Sequence, residues 1–245
     1  ALAALDSTQL GSLDKTLLTA LTSTQMLALN ETQITELPLT QWAALTSTQL
    51  GYLNTDVISA LTTTMLSALG TNQVKGISST ALSQLSATQI GAFSSTQLSA
   101  LTRTQINALS ATDVAELTTT ELASMTSTMI AALSTTALQG MSETLIAALS
   151  ATEIKGISST QCGALTETQV AAFTSTQVAA LNLTTIQGLS STAVGALTET
   201  QMQALSPQQL AAISAIAASM LSTTQIASLT ATQLAGLSTI QISGL

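Results

Sequence analysis

Ser94-Ser95-Thr96-Gln97-Leu98-Ser99-Ala100-Leu101 reads as the start of a helix, and the same start returns every eight residues. Blocks of eight fit the chain from Asp6 to Leu245 without insertion or deletion, which makes thirty octads of the form Ser/Thr-x-Thr-Gln-Ile-x-Ala-Leu. Ala1–Leu5 reads as the end of a preceding octad. The whole of 1–245 is therefore expected to be one repeat domain.

The first position is Ser, Thr, Asp or Asn in 28 of the 30 octads, with Pro38 and Gly70 as the exceptions. That set is the one helix N-caps accept. The fourth position is Gln or Glu in 19 of 30. Together these make a capping box, in which the first side chain takes the N3 amide and the fourth reaches back to the cap amide. Leu, Ile, Met or Phe precedes every cap, and the fifth position is apolar throughout, as in Ile34, Trp42 and Ile242. Apolar residues at these two places form a hydrophobic staple. Pro207 follows its cap at N1, where a missing N–H costs nothing.

A new start every eight residues limits each helix to about five to seven residues. The predicted fold is an all-α solenoid of short capped helices. A β-solenoid is the alternative, because Thr, Ile and Val favour strands and Thr fills the third position in 25 octads. Only 12 glycines for its corners, and a composition rich in Ala and Leu, argue against it. The small residue at the seventh position, as in Ala92, Gly140 and Ala180, predicts close approach between coils.

One octad cannot fold alone. Its two large apolar side chains contribute roughly 3–6 kcal/mol when buried, whereas ordering eight residues costs about 8–16 kcal/mol. Stability must come from stacking. The last octad, Ser238 to Leu245, is as apolar as the middle ones, and Leu2 and Leu5 follow the repeat. The expectation is continuation in a larger protein or end-to-end contact, so the predicted partner is the chain itself, head to tail, in a filament.

Composition points away from chemistry. Charged residues make up 7% of the chain, against about 25% in ordinary domains. There is no His, and 12 acids against 4 bases leave no basic footprint for nucleic acid. With no His and one Cys, no Ser-His or Cys-His pair and no zinc set can be assembled. The acids are read as helix-start or solvated residues, and Asp6 and Asp14 as N-caps rather than calcium ligands. Cys162 is read as a core residue, and sugar stacking by Trp42 or Tyr52 as the lesser reading of those rings. The expectation is no enzyme, no catalytic, cofactor-binding or metal site, and no cofactor. No apolar stretch is long enough for a membrane span, and no signal peptide is visible.

Runs such as Ala-Leu-Thr-Glu-Thr-Gln-Val and Leu-Ser-Ala-Thr-Gln-Ile resemble the octapeptide repeat regions of very long bacterial surface and secreted proteins of adhesin- or haemagglutinin-like type. The resemblance covers the whole chain and carries no functional residues. It implies an extracellular or cell-surface bacterial setting and a spacer, adhesin-stalk or filament role. The Thr/Ser-x-Thr recurrence, as in Thr118-Thr119-Thr120, leaves a second expectation: a hydroxyl face that binds ice or glycan.

Overall fold

The computed structural model describes residues 5–245. Of the expected preceding octad end, Ala1–Ala4 lie outside the described residues. Helix follows helix throughout, thirty of them, with no strand among the described residues. The fold is the all-α array, and the β-solenoid alternative fails.

Each helix begins where the octad begins. Ser94, for example, has extended backbone (φ −67°, ψ 159°), and its side chain accepts the amide of Gln97 before the helix Ser95–Ser99. The two octads without a capping side chain are those of Pro38 and Gly70. The helices last four to six residues, one shorter than expected at each limit. In many octads the seventh residue is already the C-cap, closing a tighter turn: the Ala100 amide donates to the carbonyl of Gln97, three residues back.

The corners need no glycine. After Ser127–Ala132, Leu133 (φ −60°, ψ 139°) and Ser134 (φ −65°, ψ 157°) are both extended, and the next helix starts in a new direction. No residue, glycine included, has positive φ among those described. A two-residue extended link of Leu and Ser/Thr turns the chain, and any L-residue can adopt it.

The chain forms two compact units, Ala1–Leu117 and Thr118–Leu245. Within each, a helix packs on the helix three octads away, as Ser47–Gly51 does on Thr71–Gly76 and Ser159–Ala164 does on Leu183–Gln187. It also touches the octad four away, through hydrogen bonds between residues 28 to 31 apart. One coil therefore takes between three and four octads. Each helix straddles a joint of the neighbouring coil, as bricks do in a staggered wall. Its start lies over the end of the helix four octads back, and its end lies over the start of the helix three octads back.

The seventh position shows why small residues recur there. A Cβ on Gly76 would overlap the carbonyl of Ser47, at the second position three octads earlier, and Gly188 meets Ser159 in the same way. Within each unit the core is a column of fifth- and eighth-position side chains, with Ile58 and Leu66 fully buried in the first and Ile130 and Ile146 in the second.

Candidate functional site

The structure builds one device again and again, centred on the fourth-position glutamine. In the octad of Ser94, Gln97 Oε1 accepts the Ser94 amide at 2.8 Å, the capping-box half that the sequence predicts. The other end of the same amide does something the sequence reading missed. Nε2 donates across the coil to the carbonyls of Leu66 (2.8 Å) and Leu69 (2.7 Å). Those carbonyls lie at and just past the end of the helix Thr63–Ser67 four octads back, where the intrahelical amides run out, although the Leu66 carbonyl also accepts the Leu69 amide at 3.2 Å. One side chain thus caps the start of its own helix and the end of another.

The pattern repeats in both units. Gln105 bonds Val74 and Ile77, Gln161 bonds Ile130 and Leu133, and Gln177 bonds Ile146 and Leu149. These glutamines are buried, with Gln105 only 1% exposed. A buried amide is costly unless its donors and acceptor are all satisfied, and here they are. Each cross-coil bond contributes a net of roughly 0.5–1.5 kcal/mol. Thr185 keeps a reduced version, its hydroxyl donating to Ile157 at 2.8 Å.

Glutamine and glutamate looked interchangeable from the capping box alone. They are not, because a carboxylate has two acceptors and no donor. The signal was present: the fourth position holds 17 Gln against 2 Glu, although Glu suits the positive end of a helix better. At Glu153, Oε2 accepts the Ser150 amide at 2.6 Å, while Oε1 is buried with no hydrogen-bond partner. Gln41 fails in the opposite way. Its Nε2 reaches Leu13 at 2.7 Å, but its Oε1 is buried and unpartnered, because Pro38 has no N–H to give it.

The other singled-out residues have structural surroundings. Asp6 and Asp14 cap their helices, accepting the amides of Gln9 (2.7 Å) and Leu17 (2.8 Å). Trp42 is fully buried and donates from Nε1 to the Met65 carbonyl at 2.8 Å, so its ring is not open to a sugar. Tyr52 is 40% exposed, while Phe93 and Phe173 are buried. Cys162 is fully buried, and burial pushes its thiol pKa up to about 12. Among the described residues no group of three or more His, Cys, Asp or Glu could hold a metal ion, and no helix is long and apolar enough to cross a membrane. The surface depressions are grooves between coils, such as the one bordered by Gln139, Glu143, Thr144, Thr166 and Thr168. That groove brings together hydroxyls, amides and one acid, and another, beside Asn30 and Asn54, has two acids, Glu31 and Asp56.

Comparison with known families gives one match: residues 146–175 fit a family described as the ALTTAQ repeat. That stretch supports a repeat region. None of the curated proteins matches the chain.

Proposed function

We propose that this chain is a non-catalytic structural protein, a stiff spacer, adhesin stalk or filament subunit in an extracellular bacterial setting. The observation that carries the reading is where its hydrogen-bonding side chains go. First-position side chains are spent on starting helices and fourth-position amides on joining octad to octad, and charged residues make up only 7% of the chain. A scaffold needs an invariant joint, and a catalyst needs an exception to one.

The coil faces support self-association, because they are complementary. One side of a coil offers glutamine Nε2 donors, and the other offers helix-end carbonyls, as Gln241 and the carbonyls of Leu210 and Ile213 demonstrate. At the helix Thr239–Gly244 the core-position Ile242 is 55% exposed. A second copy seated head to tail would bury it and use the remaining carbonyls.

The test is electron microscopy of the purified chain over a range of concentrations. Filaments with a regular axial repeat are expected. Monodisperse short particles at every concentration would overturn self-assembly and leave the spacer role.

The hydroxyl exterior supports a second reading, contact with ice or glycan, through pairs such as Ser110–Thr112 (2.8 Å) and Ser222–Thr224 (2.9 Å). It is weaker, since the first hydroxyl of each pair already accepts a helix amide, as Ser110 does from Asp113 at 3.2 Å. A lack of thermal hysteresis would remove the ice version.

A further inference from the structure

The octads from Ser206 to Leu245 carry no charged residue, since all 12 acids and 4 bases lie at or before Glu199. In the same stretch the third position changes character. It is Thr in 25 octads, but Ile at Ile216 and Ile240. These two are the most exposed large apolar side chains among the described residues, at 76% and 70%. They lie three octads apart, on helices that pack together, Ala215–Ala218 and Thr239–Gly244. A Cβ added to Gly244 would sit 4.0 Å from the Ala215 carbonyl oxygen, so the two helices touch. Met220, 52% exposed, follows Ile216 by about one turn on the same face. Ile216 is exposed although a further helix is packed against its own, as Thr168 and Thr192 are at the third positions stacked before it. Outward direction is therefore a property of the third position.

We infer that Ile216, Met220 and Ile240 form a side-to-side docking patch, whose occupant is the same patch of a second copy. Neighbouring apolar side chains on a surface otherwise made of hydroxyls and amides mark a contact site. The lack of charge selects what covers it. Each copy carries a net charge of −8, all of it on residues up to Glu199. Two copies that meet through this patch bring no like charges together, whereas contact through the acid-bearing octads sets acid against acid. A twofold pairing also sets isoleucine against isoleucine, so one patch supplies both halves of the contact. A lipid surface fits less well. Helices that lie on membranes carry Lys and Arg beside their apolar face, and neither occurs after Lys155. The patch is distinct from the head-to-tail face, because Ile242 occupies a core position and Ile216 and Ile240 point away from the core. Three side chains make a small contact, so the pairing is weak and reversible. It joins chains sideways, whether or not they also join end to end.

Sedimentation velocity on the intact chain, at protein concentrations up to about 1 mM, tests this. A monomer–dimer equilibrium is expected. Added salt should tighten it by screening the repulsion between two negative copies. Association that weakens with salt would be ionic and would overturn the inference. The double variant Ile216→Thr/Ile240→Thr restores the residue that the third position holds in 25 octads, so it is expected to fold. Its association should be weaker by roughly tenfold or more. Ile242→Thr, which alters the end-to-end face, should leave the dimer intact. A monomer at every concentration overturns the inference, and so does association that the double variant keeps. If Ile242→Thr removes that association, head-to-tail assembly stands in its place. Dimers without longer species support the side-to-side pairing and count against the filament. A chain that stays monomeric but floats with phosphatidylcholine vesicles would assign the patch to lipid and overturn the pairing.

Discussion

The octads around Gln97 and Gln105 and those from Asp113 to Glu153 share a period, a cap and a core, yet they are joined differently. In the first, the fourth side chain is bound at both ends. In the second, acids keep the capping end, and Met129, Ala137 and Leu145 give up both ends for burial. The helices form equally well in both, so starting a helix and joining coils are separable tasks. The first-position hydroxyl suffices for the start, as Thr126 does at 3.3 Å from the Met129 amide. Joining needs a donor, and the amide is the fourth-position side chain that supplies donor and acceptor together.

The largest expected effect comes from breaking the period that both regions share. One alanine inserted between Ile157 and Ser158 would carry the amides of Gln161, Gln169 and Gln177 and the Thr185 hydroxyl off carbonyls that precede the insertion, while Gln201 and Gln209 keep partners that move with them. Loss of several kcal/mol or of cooperative melting is expected, while exposed Glu167→Gln should stay within about 0.5 kcal/mol. Equal melting temperatures for the two would break the solenoid account.

Converting a glutamine-joined octad into the other kind comes next. Gln177→Glu keeps the cap but sets an oxygen against the carbonyls of Ile146 and Leu149. A cost of about 2–4 kcal/mol is expected. Gln177→Leu, which imitates Leu145, should cost less, because burial of an apolar side chain offsets the lost bonds. Denaturant midpoints that place the two in the reverse order would contradict the donor argument.

Cys162, beside Gln161 in the first glutamine-joined octad after Glu153, gives a pH readout. Burial raises its folded thiol pKa from 9.0 to about 12. Below about 9 both states hold the proton and the thiol contributes its full share. Above it the unfolded chain releases the proton and the folded chain does not, so stability falls as pH rises. Between pH 8 and 10 the loss should be roughly 1.4 kcal/mol, and Cys162→Val should flatten that slope. Parallel pH profiles for the two proteins would mean that the thiol is not sealed.

The smallest effect sharpens the contrast from the capping side. Pro38→Ser would return an N–H to the orphaned Gln41 Oε1 and a hydroxyl to the Gln41 amide. A gain of about 1 kcal/mol is expected, read as a higher thermal midpoint. No gain would mean that Gln41 Oε1 is satisfied by solvent.

The eight-residue period and the helix starts were readable in the sequence, because capping is local chemistry. Ser94 and Gln97 lie within one turn of each other, and their residue types announce what they do. The seventh-position small residues also announced a close approach, though not that Gly76 would meet Ser47. What only the tertiary structure decided was the length of the coil and the second bond of each glutamine. Those depend on carbonyls 28 to 31 residues away, at a distance set by how far each extended Leu-Ser/Thr link turns the chain. No local pattern encodes that angle, and the stacking of apolar columns selects it. Once it is set, a capping residue becomes the joint of the array, and a change from Gln to Glu, nearly silent in the octad itself, becomes a missing bond between coils.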